Sequence, residues 1–208
     1  MILPSILSAS HLFLKEKLDA LKEFNPMLHI DLEDGRYVPN LSFGPKIIKE
    51  IYDTYNFQLD VHYMVEDPQR FIDIFSDIPQ KMISYHVETG ISPNELTIPK
   101  GSSIGVALNP DTHSMPDRIL SEIDFIVIMG VHPGFGGAKF LESTYDKVSQ
   151  FDTMRKQEGY EMEIVVDGGV TKDNISRLHS NGADHFVVGA GIFRHDPAES
   201  YKELLNLV

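Results

Sequence analysis

The stretch EIVVDGGVTKDNISRLHSNGADHFVVGAG, residues 163–191, holds the fold in miniature. Glu163 to Asp167 and His185 to Val188 are short runs built around Ile, Val and Phe, and Lys172 to Asn181 between them is helix-compatible. Strand, helix and strand in that order form a unit whose two strands lie parallel, joined by a right-handed crossover. Glycines follow both strands, at Gly168-Gly169 and at Gly189-Ala190-Gly191.

The same alternation extends towards both ends. Further strands are expected at Leu3 to Leu7, Leu28 to Leu32, Leu59 to Met64, Met82 to His86, Ser103 to Leu108 and Phe125 to Met129. Further helices are expected at Leu12 to Phe24, Pro45 to Tyr52, Pro68 to Phe75, Met115 to Ile123, Leu141 to Glu158 and Pro197 to Leu207, while Ser92 to Leu96 supplies only a turn or so. Eight strands alternating with helices favour closure into a (β/α)8 TIM barrel, with residues 1–208 as a single domain. An open doubly wound sheet would carry a glycine-rich dinucleotide fingerprint after its first strand, where this chain has Ser8-Ala9-Ser10.

Composition narrows the chemistry. With 18 basic and 31 acidic residues the net charge is -13, which repels nucleic acid, so any anionic ligand must be held locally. The longest apolar run, Phe125 to Val131, is too short for a membrane span. The N-terminus lacks a basic segment and a small-residue cleavage site, which points to the cytoplasm. There are no cysteines, so His and carboxylates are the available metal ligands.

Four such groups fall near the carboxyl ends of expected strands, where barrel active sites assemble: His29 and Asp31 on the second, His62 on the third and Asp167 at the end of the seventh. Alternate strand residues share a face, so His29 and Asp31 point the same way. One strand histidine is more often a hydrogen-bonded core residue than a ligand, and Asp167 before two glycines has a simpler reading as a turn residue. Burying four polar groups without a shared partner would be costly, which favours one divalent cation. Zn2+ is expected, with Fe2+, Mn2+ or Co2+ as alternatives, since these ligands discriminate weakly. Two aspartates beside a cation also make an acid/base pair. The glycines of Gly134-Phe135-Gly136-Gly137, Gly168-Gly169 and Gly189-Ala190-Gly191 let backbone N–H groups approach phosphate oxygens.

The motifs Pro4-Ser5-Ile6-Leu7-Ser8-Ala9, His29-Ile30-Asp31, Asp34-Gly35, Val38-Pro39-Asn40, Asp60-Val61-His62, Pro133-Gly134-Phe135-Gly136-Gly137 and Val166-Asp167-Gly168-Gly169 together resemble the ribulose-phosphate 3-epimerase family nearly end to end. The resemblance implies a barrel of the ribulose-phosphate-binding type that interconverts D-ribulose 5-phosphate and D-xylulose 5-phosphate, in the pentose phosphate pathway, as a homo-oligomer. It implies that His29, Asp31, His62 and Asp167 bind the metal. Asp31 would accept and Asp167 donate the proton in one direction. Ser5, His62, Met64 and Met129 would contact the sugar, and Gly134, Phe135, Gly136, Gly137, Gly168, Gly169, Gly189 and Ala190 would hold the phosphate end.

The chain also departs from the family pattern. Glu33 stands where a methionine is usual and Arg36 where a histidine is usual, so the two are expected either to pair and reshape the sugar pocket or to leave Glu33 turned to solvent. Ala138 and Ala190 replace a glutamine and a serine, which leaves room for a ketohexose phosphate such as allulose 6-phosphate. A phosphosugar lyase or decarboxylase would need a lysine on the second strand, and Asp31-Leu32-Glu33-Asp34 has none. A catalytically silent sugar-phosphate binder would have little reason to keep both aspartates. His86 is expected behind the site or in the core; His113, His132, His179, His185 and His195 are assigned to the surface or rim.

Overall fold

The computed structural model describes residues 1–135 and 137–208. Among these, eight parallel strands alternate with helices: β1 (Ile2–Pro4), β2 (Leu28–Glu33), β3 (Leu59–Met64), β4 (Met82–His86), β5 (Ser103–Leu108), β6 (Phe125–Met129), β7 (Glu163–Asp167) and β8 (His185–Val188). Each strand pairs with the next in sequence from β2 to β8, and β8 pairs with β1. A parallel bridge between Ser5 and His29 joins β1 to β2, so the sheet is a nearly closed (β/α)8 barrel.

The outer helices are α1 (Leu14–Asp19), α2 (Pro45–Tyr55), α3 (Pro68–Ile74), α4 (Asp117–Leu120), α5 (Ser143–Glu158), α6 (Ile175–Ser180), α7 (Ala190–Phe193) and α8 (Pro197–Leu205). Their ends follow local chemistry. Asp67 and Asp196 accept hydrogen bonds from Arg70 N–H and Glu199 N–H at the starts of α3 and α8, where first-turn donors lack helical partners. Helix α2 stops at Asn56, held in the left-handed conformation with φ 55°. Helix α5 is largely polar but buries Val148 and Phe151, each contributing about 1.5–3 kcal/mol of apolar burial.

Several elements are shorter than their sequence patterns imply. The first strand ends at Pro4, and residues Ile6–Ser8 form a 3-10 turn that tucks Ile6 into the core. The expected Leu12 to Phe24 helix is broken into 3-10, α and 3-10 segments, because Leu21 and Phe24 bond three residues back, not four. Helix α4 starts only after Pro116 and is a single turn, ending where the Glu122 N–H bonds three residues back to Ile119. Helix α7, four residues at the last glycine loop, was not foreseen.

Side-chain alternation divides the interior. One face of the strands packs against the helices through residues such as Ile30, Leu32, Tyr63, Tyr85, Ile128 and Val166. The opposite face fills the barrel with Leu3, Ala107, Phe125, Val127, Val165 and Val187, and on β2, β3 and β4 with buried polar residues. In cross-strand register His29 stands beside Asp60, Asp31 beside His62 and Glu33 beside Met64. Among the described residues no helix is long and apolar enough to cross a membrane.

Candidate metal centre and ligand cavity

The interior polar side chains converge. His29 and Asp31 lie two residues apart on β2 and therefore share its inward face, and β3 and β7 bring His62 and Asp167 to the same point. Ligand atoms from all four lie within 4.8 Å of one another. His29 Nε2 is 3.3 Å from Asp31 Oδ1 and 3.5 Å from Asp167 Oδ2; His62 Nδ1 is 3.8 and 3.2 Å from the same two oxygens. Metal–ligand bonds of about 2.0–2.1 Å at tetrahedral angles separate ligand atoms by about 3.3–3.4 Å, so the donors fit one divalent cation.

The surrounding groups point to the same charge. Asp60 Oδ2 accepts from His29 Nδ1–H at 2.6 Å, which fixes the ring with Nε2 turned to the centre, where a cation would take the place of its proton. Ser5 donates to Asp31 Oδ2 at 2.7 Å, and Ser42 donates to the Asp31 carbonyl at 2.6 Å. Burial alone would lower the His29 imidazole, but the carboxylates of Asp31, Asp60 and Asp167 outweigh it and hold His29 well above its usual range. Burial would likewise raise Asp167; the facing His29 and His62 rings prevail and hold it far below the usual carboxylate range. Three buried carboxylates around two imidazoles create a demand for positive charge that a divalent ion meets.

Above this centre opens a cavity of about 320 Å³. Its lining includes Ser5, Asp31, Met64, Met129, Gly134, Phe135, Gly137, Asp167, Gly168, Gly169, Gly189 and Ala190, all singled out from sequence. His29 and His62 are fully buried and lie outside that lining. Gly136 lies outside the described residues. At Gly137, where φ is +83°, an added Cβ would come within 2.7 Å of Arg194 Nη2. At Gly169, with φ +69°, it would meet the Phe140 backbone at 2.8 Å. Gly169 requires glycine both for its positive φ and for the backbone it nearly touches, whereas at Gly137 the Arg194 tip can move and the positive φ is the reason.

Glu33 corrects the sequence reading. Neither paired with Arg36 nor turned to solvent, it is 5% exposed on the inward face of β2, lines the cavity and accepts a hydrogen bond from Asn40 at 2.8 Å. The period of two carries Glu33 inward with Asp31, whereas Arg36 lies beyond the Gly35 turn and pairs with Glu66 on the surface. Glu33 Oε1 has no hydrogen-bond partner among the described residues. Burial, reinforced by the Asp31 charge and only partly offset by Asn40, pushes its carboxyl up to about 7. His185 is also buried, at the opposite end of the barrel wall on β8, where Glu163 lies 2.9 Å away.

Three cavity residues went unnoticed in the sequence. Arg194, Lys139 and Asn174 line it beside the glycine loops. Arg194 follows Gly189-Ala190-Gly191 closely, and a cation just after a glycine loop in so acidic a chain was the available signal.

Known proteins resemble this chain over most of its length. The model of the ribulose-phosphate 3 epimerase family matches residues 1–193. The ribulose-phosphate 3-epimerase of Helicobacter pylori strain J99 is 36% identical over 196 residues, covering 92% of this chain and 90% of its own. That of Escherichia coli K12 is 35% identical over 212 residues, covering 99% and 93%. The crystal structure of orotidine 5'-phosphate decarboxylase from Pyrococcus horikoshii superposes with a TM-score of 0.66 at 15% identity, covering 100% of this chain and 98% of that one, which is a likeness of fold.

Proposed function

This chain belongs to the ribulose-phosphate 3-epimerase family of carbohydrate isomerases, and from that premise we propose that it interconverts D-ribulose 5-phosphate and D-xylulose 5-phosphate. The observation that carries the reading is the meeting of Asp31 and Asp167 with two imidazoles at the floor of a cavity walled by glycine loops. His29 Nε2, Asp31 Oδ1, His62 Nδ1 and Asp167 Oδ2 would hold one divalent cation, with Zn2+ first in expectation. When bound, the cation polarises the substrate carbonyl and lowers the cost of negative charge on its oxygen.

The two aspartates act as the acid/base pair. In one direction Asp31 takes the proton from C3; the C–H electron pair moves into the C2–C3 bond, and the carbonyl oxygen takes the charge as an enediolate. Asp167 must enter this step as the carboxylic acid, the cation taking over the His29 and His62 nitrogens that otherwise keep it ionised; it gives its proton to the opposite face of C3, and the reverse reaction exchanges the two roles. Ser5 holds Asp31 in orientation through its 2.7 Å hydrogen bond and contacts the sugar. Met64 and Met129 wall the sugar, while the glycine loops and Arg194 hold the phosphate. Residues 1–208 act as one domain, in the cytoplasm, as a homo-oligomer.

A second reading keeps this chemistry and changes the sugar. Glu33 in the cavity wall and a methyl group at Ala190 favour a ketohexose phosphate such as allulose 6-phosphate. Metal-loaded protein in D2O separates the two. Deuterium entering C3 of ribulose 5-phosphate, with xylulose 5-phosphate accumulating, supports the pentose reaction; exchange with allulose 6-phosphate alone supports the second; none with either leaves the site a binder.

A further inference from the structure

Behind His62 runs a chain of hydrogen bonds that determines where its proton sits. His62 Nε2 lies 3.0 Å from Nε2 of His86, which is fully buried on β4, with the two ring planes only 21° apart. His86 Nδ1 lies 3.3 Å from Glu88 Oε2. Glu88 Oε1 accepts from the Asn109 N–H at 2.9 Å and from the Thr112 hydroxyl, and Tyr37 donates to Oε2 at 3.2 Å. Lys147 Nζ binds the carbonyls of Asn109, Pro110 and Thr112 at 2.8–2.9 Å and so fixes the loop carrying those donors.

The protons can be assigned by elimination, since a neutral imidazole carries one N–H and its other nitrogen accepts. Glu88, already surrounded by donors, acts as an acceptor, so His86 presents its N–H at Nδ1. His86 Nε2 is then bare and accepts from His62 Nε2–H. That leaves His62 Nδ1 bare, and Nδ1 is the atom facing Asp31 and Asp167. We propose that Glu88 and His86 are positioning residues that hold His62 in the tautomer able to bind the cation. They do for His62, through one additional ring, what Asp60 does directly for His29.

The inference rests on the metal centre proposed above, and the test separates the two. Zn2+ affinity is measured by chelator competition on the full chain, alongside 15N imidazole spectra of the Zn2+-loaded protein. Wild type is expected to show His86 protonated at Nδ1 and His62 at Nε2. Glu88→Gln removes the charge and puts an NH2 donor where one of the two accepting oxygens stands, so it weakens the acceptor facing His86 and is expected to weaken Zn2+ binding about 10–100-fold. Thr112→Val disturbs the same loop but leaves the acceptor in place, and is expected to change affinity less than about 3-fold, an effect below about 1 kcal/mol. Equal losses in the two variants would reduce Glu88 to a structural role and overturn the proposal, as would a proton on His86 Nε2. Unchanged affinity in a folded Glu88→Gln would overturn the relay alone; a wild type that binds no Zn2+ would overturn the metal centre and the relay together.

Discussion

The carboxylates of Asp31 and Asp167 meet at a single nitrogen: Oδ1 of one is 3.3 Å and Oδ2 of the other 3.5 Å from His29 Nε2. They come from β2 and β7, on different sides of the barrel, and no local pattern relates them. Two carboxylates sharing one centre in this way would make the proposed acid/base chemistry sensitive to either.

Asp31→Asn and Asp167→Asn are each expected to lower kcat by at least about 10²–10⁴-fold, the usual contribution of a positioned acid or base. Each variant also removes a charge from the metal centre, so metal content is measured in parallel. Near-normal turnover in a fully loaded variant would refute the two-base assignment.

Stripping the metal is expected to abolish epimerisation and to lower the melting temperature, since an ion bound only by the folded state stabilises it by mass action, about 4 kcal/mol at a thousand times Kd. Asp60→Asn, which weakens the acceptor behind His29, is expected to raise the Zn2+ Kd about 10–100-fold. Chelator titration of wild type and variant reads both effects.

Arg194→Ala is expected to raise KM for the phosphorylated sugar about 10-fold, near 1.4 kcal/mol, with kcat little changed. Exposure to solvent keeps the effect at that size, and added salt should narrow the difference from wild type. An unaltered KM at low salt would remove Arg194 from the phosphate site.

Glu33→Met deletes a buried oxygen that lacks a partner among the described residues, and is expected to stabilise the fold by about 1 kcal/mol, read as a higher urea midpoint. If Glu33 shapes the sugar pocket, the ratio of kcat/KM for pentose and hexose phosphates shifts as well; a constant ratio would limit Glu33 to a stability effect.

Acid should act through Glu88. Burial opposes ionisation there, but His86, Thr112 and the Asn109 N–H hold the folded-state carboxyl down to about 2, below its unfolded value of about 4.3. Its contribution is therefore complete above about pH 4.3 and is lost as the pH falls towards 2. The stability gap between wild type and Glu88→Gln is expected to be widest near neutrality and to close over that range in urea titrations.

Much of this was legible in the chain itself. Strand periodicity is local, so β3 to β8 were found with the bounds observed, and the i, i+2 spacing of His29 and Asp31 fixed their common face. Helix ends were less visible: i to i+3 bonds after Ala20 and at Glu122 cut short helices that composition alone would have extended.

What sequence determined by itself was the alternation of eight strands with helices, the four inward His and Asp side chains and the glycine loops at strand ends. What tertiary structure decided was how residues distant in sequence meet. The pairing of β3 with β4 put Ser84 beside His62 and let His86, two residues further along the same face, reach it diagonally, the Gly35 turn sent Arg36 outward while Glu33 stayed within, and the last loop laid Arg194 over Gly137. The physical reason is range: a side chain's face follows from its neighbours two residues away, but its partner depends on how the whole sheet curves and closes.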